Sequence, residues 1–89
     1  MTENKLHKIG RIDQIVRDYF SDNPMEDEVP AKDLMNLFVE KGIFKKDYSR
    51  PGLPIRNLLR ELDSENKLSL LKNCKVVRNQ INRNWYFKK

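Results

Sequence analysis

Apolar residues in the first quarter of the chain recur at the three- and four-residue spacing that places them on one face of a helix. Six residues share this spacing: Ile9, Ile12, Ile15, Val16, Tyr19 and Phe20. Polar and charged residues fill most of the positions between them, so the pattern predicts a helix from Lys8 to Phe20. The polar stretch 21–24, which ends in proline, predicts the end of the helix. Residues 1–7 are expected to form a flexible tail.

A second helix is predicted from Pro30, because proline suits the first helical position, where its missing N–H would have no intrahelical acceptor. Its apolar face consists of Ala31, Leu34, Met35, Leu37 and Phe38. Gly42 is predicted to cap the C-terminus. The next two residues, Ile43 and Phe44, are expected to fold back onto the core.

A third helix follows Pro51-Gly52-Leu53-Pro54, and its buried stripe is predicted to consist of Ile55, Leu58, Leu59 and Leu62. At 100° per residue, Asn57, Arg60 and Ser64 lie on the opposite face, with Arg56 on its flank. The segment 63–66 predicts the end of this helix, with Asn66 as a left-handed cap.

The tail from Lys67 to Lys89 alternates in the manner of strands. Leu68 and Leu70 flank Ser69, Val76 and Val77 are β-branched, and Trp85 and Phe87 flank Tyr86. Two interpretations stay open: a hairpin that turns near residues 79–84, or a three-stranded meander with an extra turn at 72–73. Val29, before Pro30, is expected to form a short edge strand.

Side chains in this tail are expected to divide between core and surface. Trp85 and Phe87 are expected to close the core, and Tyr86 to point to the other face. Stacking of the two aromatic rings on bases is the alternative. Ile81 is expected to fold back onto the domain, and anchoring of a partner is the alternative.

Two stretches resemble the winged helix-turn-helix superfamily. The segment 29–34 is similar to the start of the second helix in such domains, and 55–68 is similar to a recognition helix that runs into the first wing strand. The resemblance implies an α+β fold over about residues 8–88, in which a three-helix bundle precedes a C-terminal β-hairpin wing. It also implies a third helix that enters the major groove of DNA.

The 89 residues suit one small domain, and the charge along them is asymmetric. Residues 1–44 contain six Lys or Arg and nine Asp or Glu, a net charge of −3, whereas residues 45–89 contain twelve and four, a net charge of +8. No acidic residue follows Glu65. A basic half on a small domain is typical of nucleic-acid binders, and a solvated surface without a partner is the alternative.

The resemblance and the charge together predict a DNA-binding site. Arg56, Asn57 and Arg60 would reach base edges, because Arg can bind guanine and Asn can bind adenine at two points. The full predicted set is Arg50, Arg56, Asn57, Arg60, Lys72, Lys75, Arg78, Asn79, Asn82 and Arg83. An ordinary solvated helix face and a flexible basic loop are the alternatives.

Other chemistry lacks a motif in this sequence. His7 and the single cysteine, Cys74, have no neighbours at ligand spacing, and the three glycines are isolated. No catalytic apparatus, metal or cofactor is therefore expected. With no secretory signal, no membrane-spanning run and no possible internal disulfide, a cytoplasmic location is expected.

The leading functional hypothesis is a protein that binds double-stranded DNA, as a transcription regulator or a mobile-element accessory protein. The alternative is a winged-helix module that docks onto another protein without binding DNA. A homodimer is a further expectation, because DNA-binding regulators often read two half-sites.

Overall fold

The computed structural model describes residues 3–47, 52–79, 81 and 84–89. These residues form three α-helices and a three-stranded antiparallel sheet, so the chain has an α+β fold. The helices are α1 (Glu3–Asp22), α2 (Met35–Glu40) and α3 (Leu53–Ser64), and the strands are β1 (Glu28–Pro30), β2 (Lys75–Arg78) and β3 (Trp85–Lys88). Short 3-10 segments cover Ala31–Leu34 and Leu68–Leu70.

Helix α1 forms where the apolar spacing predicts it, but it is longer at both ends. It begins at Glu3, so residues 3–7 are helical and do not belong to a tail. Glu3 lies in the first turn, where a carboxylate interacts favourably with the helix dipole. Beyond the C-terminus at Asp22, the side-chain amide of Asn23 donates to the Tyr19 carbonyl at 2.8 Å.

The predicted second helix consists of a 3-10 turn, Ala31–Leu34, followed directly by α2. Gly42 has a φ of +78° and caps α2, as predicted. The N–H of Ile43 then donates to the Phe38 carbonyl at 2.8 Å, which directs Ile43 into the core. The Arg11 guanidinium also donates to the Lys41 carbonyl at 2.7 Å, so α1 supports the end of α2.

Helix α3 buries the predicted stripe completely: Ile55, Leu58, Leu59 and Leu62 are all in the core. Asn66 has a φ of +56°, as expected of a left-handed cap. The N–H of Lys67 donates to the Leu62 carbonyl at 2.7 Å and closes the end of the helix.

The strands lie in the order β1-β3-β2, with both pairings antiparallel. The hairpin interpretation is correct, because β2 pairs with β3 through the register Arg78 to Trp85 and the N–H of Asn79 donates to the Asn84 carbonyl at 2.9 Å. Trp85 and Phe87 face the core, as predicted, and Tyr86 lies between them on the opposite face.

The prediction of a strand at Leu68 and Leu70 is wrong, because these residues form a 3-10 turn. Its hydrogen bonds run from Leu70 N to Lys67 O and from Leu71 N to Leu68 O, both at 3.0 Å. The turn packs Leu68 and Leu70 against the core and buries Leu71 within it. A strand would have placed Leu70 and Leu71 on opposite faces.

One core joins the helices to the sheet. Phe38 of α2 packs edge-on against Phe87 of β3, with ring centroids 6.3 Å apart, and makes a similar contact with Phe44. Among the described residues, no helix combines the length and apolar character needed to cross a bilayer.

Candidate functional site

The exposed face of α3 presents two of the predicted site residues. Asn57 and Arg60 are exposed and lie on the face opposite the buried leucines. The Ser64 hydroxyl donates to the Glu61 carbonyl at 2.9 Å, so it is used within the helix. Asn57 and Arg60 can therefore offer amide and guanidinium groups to a ligand from one surface.

Arg56 lies on the flank of the exposed face, as predicted. It is half-buried on the flank of α3, and its Nε atom is buried without a hydrogen-bond partner in the described part of the chain. Its helical position, 100° away from Asn57 and about 60° from the buried Leu59, explains this partial burial. Arg56 is therefore less accessible to a ligand than Arg60.

The β2–β3 hairpin presents a second group of cations. Lys72 precedes β2, Lys75 begins it and Arg78 ends it, and all three are exposed. The guanidinium carbon of Arg78 lies 5.6 Å from the ring centroid of Trp85, the residue opposite it in the sheet. This cation–π contact helps to hold the Arg78 guanidinium in its position at the surface.

The hairpin turn gives Asn79 a local contact and corrects the expectation for Ile81. The side-chain oxygen of Asn79 accepts from the N–H of Ile81 at 2.8 Å, so Asn79 shapes the turn through a local hydrogen bond. Ile81 does not fold back onto the domain, since it is 95% exposed. The predicted site residues Arg50, Asn82 and Arg83 lie outside the described residues.

A groove that the sequence analysis missed runs beside α3. Its rim carries Lys5 and Lys8 from α1 and Lys45 and Lys46 from the segment after α2. Asn57 and Glu61 of α3 also line it. Lys45 and Lys46 are adjacent in sequence, whereas Lys5 joins the groove only because α1 begins at Glu3, and Lys8 joins it through the packing of α1 in the fold.

Two contacts hold parts of the groove's rim in place. The ammonium group of Lys5 pairs with the Glu61 carboxylate, which links the start of α1 to α3. The Lys8 ammonium lies 5.2 Å from the centroid of the Phe44 ring. The rim is thus built from three segments of the chain.

The single cysteine is chemically quiet. Burial raises the pKa of the Cys74 thiol to about 12, with a further contribution from the neighbouring Asp13 carboxylate. A thiol with such a pKa stays protonated near neutrality, so it is a poor nucleophile and a poor metal ligand. His7 is exposed on α1. Among the described residues, no group of three or more His, Cys, Asp or Glu could hold a metal ion.

Comparison of the chain with protein-family models, with curated proteins and with solved structures finds no match. The function must therefore be argued from the surface itself. Within the described residues, two surfaces carry binding chemistry: the exposed face of α3 together with the hairpin, and the groove with its four lysines.

Proposed function

We propose that this chain is a winged-helix domain that binds double-stranded DNA, without enzymatic activity. The order helix, strand, helix, helix, hairpin and the sheet order β1-β3-β2 are compatible with that fold. In this proposal α3 is the recognition helix, and the β2–β3 hairpin is the wing. The biological role would be that of a transcription regulator or a mobile-element accessory protein.

The observation that carries the proposal is the exposed pair on α3. Asn57 and Arg60 point away from a stripe that is almost fully buried, so α3 can enter a groove while its other face stays in the core. An amide and a guanidinium can each make two hydrogen bonds to a base edge, to adenine and guanine respectively. Because Arg56 is half-buried, it would contact the DNA backbone more readily than the bases.

The hairpin supports the proposal through charge. Lys72, Lys75 and Arg78 are exposed and lie in the half of the chain that has a net charge of +8. Cations on a hairpin suit contacts with backbone phosphates, which position a protein on DNA without reading its sequence. The acidic residues of the first half would face away from the duplex.

A fluorescence-anisotropy titration with a mixed-sequence duplex at several salt concentrations tests the proposal. Binding should weaken as salt rises, because phosphate contacts release counterions. Arg60→Ala should weaken binding by about 1–3 kcal/mol if it contacts a guanine edge. Arg17→Ala, which removes the same charge from the exposed surface of α1, is the matched control.

Two results would contradict the proposal. One is a wild-type chain without measurable affinity at about 50 mM salt, where phosphate contacts are strongest. The other is an equal effect of Arg60→Ala and Arg17→Ala, since that would leave α3 without a specific role.

A protein-docking module is the second candidate, and the exposure of Ile81 favours it. A large apolar side chain that is 95% exposed at a hairpin turn can anchor a partner. For a docking module, the DNA titration should show no binding, and Ile81→Ser should leave the circular dichroism spectrum unchanged while it abolishes capture of the partner.

A further inference from the structure

The lysine-rimmed groove beside α3 has an apolar floor. Five residues form this floor: Val39, Ile43, Phe44, Pro54 and Leu58. The groove is open to solvent and has a volume of about 1090 Å³, slightly above the roughly 300–1,000 Å³ typical of small-molecule pockets. A floor of this kind suits an apolar side chain, and the lysines suit acidic residues next to it.

The charge of the groove is strongly positive. Four lysines and one glutamate line it, which gives a net charge of 4 − 1 = +3. The glutamate, Glu61, is paired with Lys5. An occupant with several carboxylates would therefore meet an attractive field, since opposite charges across an interface favour and steer association.

The loop between α1 and β1 has the complementary character. We call residues 21–28, which include the last two residues of α1 and the first residue of β1, the acidic loop: it contains Asp22, Glu26, Asp27 and Glu28 and no basic residue. Met25 lies among these acids and is 94% exposed. A flexible thioether side chain fills irregular apolar surfaces well.

The acidic loop is held in place before any partner binds. The N–H of Glu26 donates to the Asn23 carbonyl at 2.9 Å, and the N–H of Lys89 donates to the Asp27 carbonyl at 2.9 Å. The Lys89 ammonium also donates to the Pro24 carbonyl at 3.3 Å. Because the loop is preorganised, little ordering entropy would be lost when it binds.

The groove and the acidic loop lie at opposite ends of α1. Lys5 and Lys8 are in the first two turns of this 20-residue helix, and the acidic loop begins where the helix ends. A helix of this length spans about 30 Å at 1.5 Å per residue. The loop therefore cannot reach the groove of its own chain, but it can reach the groove of a second copy.

We propose that the acidic loop of one copy docks into the lysine-rimmed groove of another. Met25 lies on the apolar floor, and Glu26 and Asp27 face Lys45 and Lys46. The contact is heterologous, so every added copy leaves one loop and one groove open, which produces a closed ring or an open chain. This association does not depend on DNA binding.

Sedimentation velocity on purified protein without DNA tests the proposal, with two neutralising variants. The loop variant, Met25→Ser/Glu26→Gln/Asp27→Asn, keeps its groove, and the groove variant, Lys45→Gln/Lys46→Gln, keeps its acidic loop. Wild type should associate as concentration rises and dissociate as salt is raised, because the contact pairs exposed charges. Each variant alone should associate at least about tenfold more weakly.

An equimolar mixture of the two variants gives the sharpest result. The groove variant supplies a loop and the loop variant supplies a groove, so the mixture should form a complex that stops at one copy of each. The controls Asp18→Asn/Asp63→Asn and Arg17→Gln/Lys32→Gln carry the same charge changes on exposed positions elsewhere, and they should associate like wild type.

Three outcomes would overturn the proposal: a wild-type chain that stays monomeric at low salt up to about millimolar concentration, a mixture that forms no complex, or controls that weaken association as much as the variants. Circular dichroism spectra equal to that of wild type establish that each variant is folded. Because no DNA is present, failure here leaves the DNA-binding proposal intact, and failure of the DNA titration leaves this one intact.

Discussion

The buried carboxylate of Asp13 in α1 accepts two hydrogen bonds from Asn73, sixty residues further along the chain. The backbone N–H of Asn73 donates to Oδ1 at 2.9 Å, and its side-chain amide donates to Oδ2 at 2.7 Å. Asp13 is only 6% exposed. This pair links the segment just before β2 to α1.

Replacement of Asp13 should therefore destabilise the domain. Asp13→Ala should lower the free energy of unfolding by about 1–3 kcal/mol, because it leaves the Asn73 donors without their acceptor. Urea unfolding measures this change. Asp18→Ala, at an exposed position of the same helix, should change stability by less than about 0.5 kcal/mol. Equal effects of the two substitutions would show that the Asn73 hydrogen bonds contribute nothing.

The Asp13–Asn73 pair shows what local patterns leave out. The spacing of Ile9, Ile12 and Val16 predicts the buried face of α1, since helical periodicity is a local property. Asp13 counts as polar by residue type, although at 100° per residue it lies only 40° from Ile9 on the buried side of the helix. Its partner lies on a distant segment, and no local pattern indicates such a contact.

The close approach of Gly52 to Lys32 gives a second prediction. Gly52 and Gly42 both have a φ of +78°, but a Cβ on Gly52 would lie 2.5 Å from the Lys32 Cβ, whereas a Cβ on Gly42 would meet nothing within 4 Å. Gly42→Ala should cost about 1–2 kcal/mol, the backbone penalty alone. Gly52→Ala should cost clearly more in thermal or urea unfolding, and an equal or smaller cost would contradict the close approach.

The raised pKa of Cys74 predicts a pH dependence of stability. Burial and Asp13 raise the pKa of this thiol from its ordinary value of 9.0 to about 12. Between these values the unfolded chain loses the thiol proton while the folded chain keeps it, so the free energy of unfolding falls as pH rises through this window. Below pH 9 the thiol contributes no pH dependence.

Urea unfolding of wild type and Cys74→Ala at several pH values from about 8 to 11 isolates this effect, because other titrating groups are common to both proteins. Wild type should lose stability more steeply with pH than the variant does. Parallel curves would show that the folded-state pKa of the thiol is not raised.

The exposed surface was harder to predict than the core. Leu59, Trp85 and Phe87 are buried as the apolar patterns indicate. Leu68 and Leu70 alternate with Ser69 in sequence, but they form a 3-10 turn that follows the left-handed cap at Asn66. The lysine rim of the groove has no local sequence signal, because two separate segments supply its lysines and only the tertiary fold brings them together.

The last prediction concerns the hairpin cations and rests on the proposed DNA binding. Lys75 and Arg78 are exposed on β2, and Arg78 is supported by its contact with the Trp85 ring. If both neutralise phosphates, Lys75→Ala/Arg78→Ala should flatten the slope of log affinity against log salt by up to about 1.8, at roughly 0.9 per phosphate contact. The loss of affinity should be nearly equal for all duplex sequences, because phosphate contacts carry no sequence information.

Arg60→Ala should behave differently from the hairpin variant in the same titrations. A base contact on α3 contributes to sequence preference, so its loss should reduce the difference in affinity between preferred and mixed-sequence duplexes. Arg11 would be an unsuitable control, because its guanidinium donates a hydrogen bond to the Lys41 carbonyl at the end of α2 and its loss could alter the fold. Arg17→Ala is suitable, and it should change neither the slope nor the preference. If Lys75→Ala/Arg78→Ala keeps the wild-type salt slope, the two cations of the β2–β3 hairpin do not contact phosphates. The proposed interface would then rest on α3 alone.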